Sequence, residues 1–395
     1  MTASCVLTVN GGSSSIRCAV YETAGNGEIN LLTHLKVDRM GQHDATFTIS
    51  DKAGTNTRVI DARTRDKATA QLLDWLGTQS FLPSVKAVGH RVVHGMSRSQ
   101  PQQITRQLLK ELQAFSNIDP EHLPFEIELI RAFQRKFPGI PHIACFDTAF
   151  HRRIPDVAKT LPIPQRYREL GIERYGFHGL SYSYLMQELA RIDSHTANNG
   201  RVIIAHLGNG ASLAAIRSGS CVDTSMSFSP ASGIMMSTRS GDIDPGVVHY
   251  LSTVQKLNAD ELQHMFNHES GMMGISGISG DVRELISHEH SNAHAALAIT
   301  MFCYQIKKYI GAYAAALGGV DTLIFSGGIG ENSAVIRERI CDGLEFIGIA
   351  LNARNNHGNE PIISRDDGKV MVRVMQTNEE LMIARSVVST LTSPG

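Results

Sequence analysis

Short apolar runs recur along the chain, and each of them ends in a polar or glycine-rich segment. Their length and their content of β-branched residues are typical of strands buried in a sheet. The runs occupy residues 6–9, 87–95, 142–147, 202–208 and 322–332. In open α/β sheets, ligands bind beyond the carboxyl ends of the strands. The pattern therefore predicts an α/β protein in which several strands deliver side chains to one cleft.

Segments with a helical period lie between these strands. Apolar residues recur every three to four positions in residues 106–115, 125–137 and 294–317, which predicts helices there. The last helix carries a stripe of apolar and aromatic residues: Met301, Tyr304, Ile306, Tyr309 and Tyr313. We expect this stripe to belong to the core rather than to a cofactor site.

Two segments near the strand ends have less regular patterns. A helix is predicted through Ile336 and Ile340 to Leu344, with Asn332 or Ser333 as its N-cap, so that its positive end faces a glycine-rich loop. Residues 267–292 are polar and rich in glycine. We expect them to contain a loop over the cleft.

Two glycine-rich segments, residues 9–17 (VNGGSSSIR) and 205–213 (AHLGNGASL), share the order of strand, glycine turn and strand. In this register Gly12 lies opposite Gly208. Glycine permits turns with positive φ and lets backbone N–H groups approach phosphate oxygens closely. A hairpin of this kind is also an ordinary chain reversal. Its repetition in one register, however, indicates a nucleotide cleft between two related domains.

Composition and charge narrow the classes of protein and partner. The chain has 395 residues, 42% of them hydrophobic, which is enough for two or three domains with their own cores. A net charge of −1 gives no overall field that would attract nucleic acid or an anionic membrane, so we expect neither as a partner.

The six dispersed cysteines are expected to be buried, reduced thiols, which favours the cytoplasm. A segment with three prolines sets the first domain boundary near residue 150.

Four side chains supply groups that phosphoryl transfer needs, namely Arg91, Asp147, His178 and Arg239. Such a transfer depends on positive charge around the moving group, a magnesium ion and an aligned acceptor. A guanidinium in a glycine-containing loop can bind a carboxylate or a phosphate through two hydrogen bonds. The alternatives are structural ion pairs for the arginines and a core histidine bonded to a carbonyl for His178. Asp147 ends an apolar strand, which favours a functional carboxylate.

The segment TNEELMIARS contains two neighbouring acids with different predicted roles. If Thr377 is the N-cap of a helix, Glu380 occupies the third helical position and closes a capping box. Glu379 is then left as a candidate ligand for Mg²⁺. The alternative is that both acids merely complement the helix dipole.

Eight ordered blocks of the chain resemble the acetate kinase family, within the superfamily of acetate and sugar kinases, heat-shock ATPases and actin. The blocks are VNGGSSSIR, GHRVVHG, FDTAFH, YGFHG, HLGNGAS, TRSGDIDPG, FSGGIGEN and TNEELMIAR. The resemblance implies duplicated actin-like ATPase domains of the ribonuclease H-like type, over residues 1–150 and 151–376, with an ATP cleft between them. It also implies that residues 377–395 form a helix that packs back on the first domain, and that the protein is a homodimer.

The resemblance further implies reversible phosphoryl transfer between ATP and acetate or another short-chain carboxylate, giving ADP and an acyl phosphate. Mg²⁺, with Mn²⁺ as an alternative, would be held by Asn10 and Glu379, and catalysis would depend on Arg91, Asp147, His178 and Arg239. The acyl substrate would lie against Arg91, Val93, His122, Phe177 and Pro230. ATP would be bound by Arg17, His206, Leu207, Gly208, Asn209, Gly210, Asp281, Val282, Arg283, Gly328, Ile329, Gly330, Glu331 and Asn332.

Two positions depart from the family pattern. Arg17 stands where the family usually has a lysine, so a planar fork replaces a compact ammonium group. Residues 119–124 read DPEHLP instead of the usual APLHNP, so Glu121 replaces an apolar residue of the acyl pocket. We expect Glu121 to turn toward solvent and Val93 to leave room for acetate rather than propionate.

Two other functions remain open for this sequence. A propionate kinase, or another short-chain acyl kinase, needs only a slightly larger pocket, because one methylene changes binding by about 1–3 kcal/mol. A conformational ATPase resembling heat-shock proteins would share the nucleotide hairpins without needing Arg91, Asp147 or His178. Acyl phosphate formation separates this second function from a kinase.

Overall fold

The computed structural model describes residues 4–12, 14–24 and 28–392. Ser13, in the first glycine-rich turn, lies outside the described residues. The chain divides into two compact units. Unit 1 consists of Met1–Ala149 and Asn378–Gly395, and unit 2 consists of Phe150–Thr377.

Unit 1 contains a mixed sheet with the strand order β5-β4-β3-β2-β1-β6-β8-β7. The strands are β1 (Ser4–Gly11), β2 (Ile16–Thr23), β3 (Ile29–Asp38), β4 (Thr46–Asp51), β5 (Gly54–Val59), β6 (Val85–Val92), β7 (Gln102–Gln103) and β8 (His142–Phe146). The helices that follow in chain order are α1 (Arg65–Gly77), α2 (Arg106–Ala114) and α3 (Leu123–Lys136). Strand β1 is antiparallel to β2 and parallel to β6, and β6 is parallel to β8. One core cluster joins apolar residues of the strands to Leu72 of α1 and Phe133 of α3.

Unit 2 contains a second mixed sheet, with the strand order β11-β10-β9-β12-β13. The strands are β9 (Arg201–Leu207), β10 (Ala211–Arg217), β11 (Ser220–Thr224), β12 (Thr322–Ser326) and β13 (Met371–Val374). The helices are α4 (Asp156–Lys159), α5 (Gln165–Arg168), α6 (Gly179–Ile192), α7 (Ser194–Asn199), α8 (Pro245–Thr253), α9 (Ala259–His264), α10 (Gly271–Ser276), α11 (Val282–His288), α12 (Ala293–Leu317), α13 (Gly327–Asn332), α14 (Ala334–Cys341) and α15 (Ala353–His357). Strand β9 is antiparallel to β10 and parallel to β12, which is parallel to β13.

The two sheets repeat one topology. The order β3-β2-β1-β6-β8 in unit 1 corresponds to β11-β10-β9-β12-β13 in unit 2, with an antiparallel meander followed by two parallel strands in each. The predicted glycine turns close the first hairpin of each sheet, and Gly12 and Gly208 are each the first residue after the strand. The prediction of two related α/β halves is therefore confirmed at the level of strand order.

The last helix, α16 (Glu379–Thr392), belongs to unit 1 and packs against β1, β2 and β6. The contact is tight at Gly89 of β6, where an added Cβ would lie 2.5 Å from Ile383 and 2.6 Å from Val387. A side chain at position 89 would therefore push α16 away from the sheet.

The predicted strands and the three long helices are present with small differences at their ends. The predicted core stripe of α12 is only partly right, because Ile306 and Tyr313 are buried whereas Tyr304 is 61% exposed. Buried residues of this helix follow the period of Ile299, Ile306 and Tyr313, and Tyr304 lies off that face. All six cysteines are buried and unpaired, as predicted.

Residues 267–292, which we expected to contain a loop, are partly helical, and the predicted glycine-rich loop at 327–332 is a helix. Residues 267–292 contain α10 and α11. The glycines with positive φ, Gly271 at 61° and Gly277 at 68°, lie at the two ends of α10 and therefore do not interrupt it. Residues 327–332 form α13, and the following helix begins at Ala334 after Ser333. In the ranges that the structure describes, no helix is long and apolar enough to cross a membrane.

Candidate functional site

The two glycine turns are tight, but not for the predicted reason. Gly12 donates to the Ser15 carbonyl at 2.8 Å and Gly208 to the Gly210 carbonyl at 3.0 Å. None of Gly11, Gly12, Gly208 and Gly210 has a positive φ, so that part of the prediction is wrong. What requires glycine is close approach: a Cβ at Gly11 would lie 3.0 Å from Leu129, and one at Gly210 would lie 3.3 Å from His178 Nε2.

In unit 1, Arg91 lies at the centre of a buried charge cluster. Its Nη1 donates to Glu126 Oε1 at 3.0 Å and to the Gly11 carbonyl at 3.3 Å, and its Nη2 donates to Asp147 Oδ2 at 2.9 Å. These groups meet because β1, β6 and β8 are parallel and adjacent, so their carboxyl ends share one edge of the sheet. Asp147 is fully buried.

The charges in this cluster are strongly coupled. Burial alone would lower the pKa of Arg91, but the carboxylates of Asp147 and Glu126 outweigh it and raise that pKa above its usual value. Burial raises the pKa of Glu126 to about 8, although Arg91 and the Val93 N–H oppose this rise. Arg91 therefore stays charged. The Arg91 guanidinium and the Val93 N–H both stabilise the ionised form of Glu126 against the effect of its burial.

Asn10 joins the first glycine turn to α16. Its Nδ2 donates to Glu379 Oε2 at 2.9 Å and to Glu380 Oε1 at 3.1 Å. Burial and the charge of Asp147 raise the pKa of Glu379 to about 7, against the opposing effect of Arg91. The structure thus brings Asn10, Glu379, Arg91 and Asp147 into one electrostatic group within unit 1.

The predicted capping of this helix by Thr377 is wrong. Asn378 is the N-cap, because its Oδ1 accepts from the Leu381 N–H at 2.8 Å. The helix starts one residue later than predicted, so Glu380 is at the second helical position and cannot form a capping box. Thr377 Oγ1 instead lies 2.8 Å from Ser181 Oγ. Both acids, and not Glu379 alone, turn to Asn10.

The acyl-pocket candidates of unit 1 lie on the residues after β6 and at the start of α3. Val93 is buried, and its N–H donates to Glu126 Oε2 at 2.8 Å. His122 is also buried, and its Nδ1 lies 2.8 Å from Asp119 Oδ1. Glu121 beside it is partly exposed. The remaining two candidates, Phe177 and Pro230, lie in unit 2.

In unit 2, His178 and His206 stack with their ring centroids 4.4 Å apart. His178 has φ 58° immediately before α6, and its Nδ1 lies 2.8 Å from Ser212 Oγ. An added Cβ at Gly210 would lie 3.3 Å from His178 Nε2 and 3.7 Å from Arg239 Nη1. The structure therefore brings both predicted catalytic residues of unit 2 to the second glycine turn.

The other two pocket candidates, Phe177 and Pro230, lie next to His178 and Arg239. Phe177 is buried, and its carbonyl lies 2.9 Å from His151 Nε2. The Pro230 carbonyl accepts from Arg239 Nη1 at 3.2 Å. The side chain of His151 thus holds the backbone next to His178.

The predicted nucleotide segments of unit 2 adjoin one another. A Cβ at Gly327, which has φ 74°, would lie 2.6 Å from the Leu207 carbonyl, so α13 begins against the second glycine turn. The Ser237 N–H donates to the Asn209 carbonyl at 3.2 Å, and a Cβ at Gly280 would lie 2.8 Å from the Ser237 carbonyl. Residues 206–210, 280–283 and 327–332 therefore belong to one region of the unit.

Several of the predicted nucleotide-binding side chains have hydrogen-bond or ion-pair partners within their own unit. Glu331 Oε1 accepts from the Gly327 N–H at 2.9 Å and the Thr377 N–H at 3.2 Å, so this carboxylate caps its own helix. Asp281 caps α11 and forms an ion pair with Arg283 at 2.6 Å. Arg17, in unit 1, is exposed on β2 and pairs in register with Asn10.

Sequence reasoning did not single out Glu126 or Ser212. Glu126 carries a detectable signal, because it lies three, four and seven residues before Leu129, Ile130 and Phe133 on the buried face of α3. An acid on such a face needs a buried partner. Ser212 carries no comparable signal, since its contact with His178 depends on the hairpin and α6 coming together.

Comparison with known proteins identifies the family of the chain. A model of the acetokinase family matches residues 5–385. The acetate kinase of Geobacillus sp. (strain WCH70) is 42% identical over 391 residues, which cover 97% of this chain and 98% of that protein.

Solved structures give the same result. The crystal structure of Porphyromonas gingivalis acetate kinase is 36% identical with a TM-score of 0.87, covering 99% of this chain and 100% of that one. A propionate kinase from Francisella tularensis subsp. tularensis SCHU S4 is 33% identical with a TM-score of 0.89, covering 97% and 98%. The actin-like ATPase fold and the family that the eight sequence blocks predict are confirmed: the chain belongs to the acetokinase family.

Proposed function

We propose that this protein is an acetate kinase that catalyses the reversible reaction of ATP and acetate to ADP and acetyl phosphate. Membership of the acetokinase family supports a kinase with ATP and ADP as substrates. The single observation that carries the reaction is the buried Arg91 cluster, in which one guanidinium with fixed geometry lies beside the Asp147 carboxylate. An arginine held in this way can bind a second carboxylate, that of the substrate, with its remaining N–H groups.

In this proposal Arg91 binds the acetate carboxylate and Val93 packs beside its methyl group. Asp147 orients the acceptor by holding the Arg91 guanidinium that binds it, which is consistent with its complete burial next to Arg91. No covalent intermediate on the protein is required, because an oriented carboxylate oxygen attacks the γ-phosphorus directly.

Unit 2 supplies the groups proposed to stabilise the transferred phosphoryl group. Arg239 neutralises charge on its equatorial oxygens. His178 donates a hydrogen bond from Nε2, which requires either that Ser212 donates to Nδ1 or that the imidazole ring is protonated. Residues 206–210, 280–283 and 328–332 are proposed to hold the ATP phosphates and nucleoside. Their mutual packing within the unit supports this, as does the small size of the glycines that approach neighbouring backbone.

Mg²⁺, or Mn²⁺, is proposed to bind at Asn10 and Glu379. The residue types fit, because an amide oxygen and carboxylate oxygens are hard ligands. In this structure Asn10 donates from Nδ2 to Glu379 and to Glu380, so its amide would have to rotate to present the oxygen to an ion. No cluster of three His, Cys, Asp or Glu that could hold a metal exists within residues 4–12, 14–24 and 28–392. Mg²⁺ usually keeps several waters and binds through one or two carboxylates together with substrate phosphates. When bound, the ion neutralises charge on the β- and γ-phosphate oxygens.

A homodimer is proposed from an exposed apolar face in unit 2. Helix α8 has no buried residue. The exposed apolar residues of this helix and of the chain on either side of it are Ile243, Val247, Val248, Tyr250 and Val254. Exposed apolar patches of this kind mark interaction surfaces. Sedimentation equilibrium of the parent and of the Val247→Glu/Tyr250→Glu double variant tests this proposal. A monomeric parent would refute it, and Val157→Glu, at an isolated residue that is 90% exposed, is the matched control.

Trapping of acyl phosphate as a hydroxamate tests the proposed reaction. Acetate, propionate and butyrate are each offered with ATP and, separately, with pyrophosphate. We expect product from ATP with acetate as the preferred acid. Preference for propionate would favour the activity named for the Francisella tularensis relative. ATP hydrolysis without any hydroxamate would refute a carboxylate kinase.

A further inference from the structure

Glu126 is a buried acid whose two oxygens both have partners. The residue is 2% exposed and lies on the apolar face of α3. Its Oε1 accepts from Arg91 Nη1 at 3.0 Å, and its Oε2 accepts from the Val93 N–H at 2.8 Å. A buried carboxylate is costly unless it is paired and hydrogen-bonded, so this arrangement is specific.

We propose that Glu126 is a positioning residue of the acyl-substrate site, which ties the Arg91 guanidinium and the Val93 backbone to α3. This inference rests on the proposed function, because it takes Arg91 as the group that binds the substrate carboxylate and Val93 as the wall beside its methyl end. One side chain thereby sets the distance between the charged and the apolar ends of the acyl site.

The bond to Glu126 completes the orientation of Arg91. Asp147 holds only Nη2, and the Gly11 carbonyl accepts from Nη1 at 3.3 Å, which is the longest contact of the three. Without Glu126, the guanidinium is fixed firmly at one nitrogen and can turn about it. A fork that turns loses the two parallel hydrogen bonds that a carboxylate ligand needs.

The bond to Val93 fixes the other end of the site. Val93 follows directly after β6, beyond the residues of this strand that pair with β1 and β8. Glu126 supplies the acceptor for its N–H instead. Loss of that acceptor leaves a buried N–H unsatisfied, and the chain at Val93 is expected to shift toward another partner.

The matched test compares three variants with the parent. Glu126→Ala removes both acceptors, and Glu126→Gln keeps the shape but places an NH₂ donor against an existing donor. Glu128→Gln changes an exposed acid two residues along the same helix and is the control. For each protein, acetyl phosphate formation gives kcat and the KM for acetate and for ATP, and thermal unfolding gives Tm.

We expect the acetate KM to rise by at least about tenfold in Glu126→Ala and by a smaller factor in Glu126→Gln, since hydrogen bonds to charged groups are lost. The KM for ATP should stay within about twofold and kcat within about threefold, because the variants remove ground-state binding of one substrate. Glu128→Gln should match the parent. If Glu126→Ala does not fold, Glu126→Gln decides.

The contrary outcomes separate this inference from the proposed function. A parent that forms no acetyl phosphate overturns the proposed function and the inference with it. An active parent whose Glu126 variants keep the acetate KM overturns the inference alone. A parallel rise in both KM values together with a lower Tm also overturns it, because that result assigns Glu126 to general stability.

Discussion

Asp147 is the residue on which the proposed chemistry depends most. It is fully buried, follows β8 and accepts a hydrogen bond from Arg91. Asp147→Asn keeps the shape but removes the charge that orients Arg91 and the acceptor, so we expect kcat to fall by about 10²-fold or more. The KM for ATP should change little. Steady-state kinetics on folded protein measure both, with Asp342→Asn, at an exposed position, as control; near-parental turnover would refute the role of Asp147.

Val93 determines the expected acyl preference. The side chain is buried, and its replacement by alanine removes two methyl groups from the proposed pocket wall. Val93→Ala should therefore raise the ratio of kcat/KM for propionate to that for acetate, by at most roughly 10–200-fold. Both acids are assayed in parent and variant. No change in this ratio would place Val93 outside the pocket.

Arg17 retains the charge of the usual lysine but not its geometry. It is exposed and lies opposite Asn10 in the hairpin. We expect Arg17→Lys to be active with an altered dependence on ATP or Mg²⁺, and Arg17→Ala to lose about tenfold or more in kcat/KM for ATP. Titrations of both ligands provide the measurement. Identical kinetics for the three proteins would exclude Arg17 from the phosphate site.

At the scale of elements, β6 and β8 are joined by a buried pair of histidines. His90 Nε2 lies 2.9 Å from His142 Nδ1, and the rings stack 5.2 Å apart. Burial lowers the pKa of both residues, and that of His90 is also lowered by His142. The native state therefore binds fewer protons than the unfolded state below about pH 6.5, and its stability falls as the pH decreases.

We expect the free energy of unfolding to decrease more steeply from pH 7 to pH 5 in the parent than in a His90→Leu/His142→Leu variant. The two proteins should diverge progressively as the pH falls below about 6.5, the ordinary pKa of histidine, because the unfolded state takes up protons there that the buried pair does not. Urea unfolding at several pH values measures it. Parallel pH dependence in the two proteins would show that the pair does not titrate as described.

The elements also show where sequence patterns suffice. Strands that end near Asn10, Arg91 and Asp147 were predictable, because continuous apolar runs with polar ends have few other solutions in an α/β fold. The cap of α16 was not, since Thr377 and Asn378 are adjacent and both residue types cap helices well. Glycines at the ends of α10 are indistinguishable in composition from glycines of a loop.

The candidate site was predictable in its charges but not in their pairing. Arg91, Asp147, His178 and Arg239 stand out as polar groups at strand ends and turns. Their partners Glu126 and Ser212 come from distant segments, and only packing selects them. The aromatic Tyr304 shows the converse limit, because residue type alone does not tell which face of α12 it occupies.

At the scale of the molecule, duplication explains why both units carry candidate groups at equivalent places. Strands β1, β6 and β8 end near Gly12, Arg91 and Asp147, and β9, β12 and β13 end near residues 208, 327 and 375. One strand order, present in both units, thus gives one charged edge and one glycine-lined edge, to which the proposed function assigns carboxylate binding and nucleotide binding. This division of labour is the central claim of the proposed function.

Phosphoryl transfer in both directions, followed by ³¹P NMR, tests this claim most directly. The purified protein is given ATP, acetate and Mg²⁺ in one sample, and acetyl phosphate, ADP and Mg²⁺ in another. We expect the two samples, matched in total concentrations, to converge on one mixture of ATP, ADP and acetyl phosphate, and Asp147→Asn to reach it far more slowly. Release of inorganic phosphate from ATP without acetyl phosphate in the first sample, together with no ATP formed in the second, would contradict a reversible carboxylate kinase.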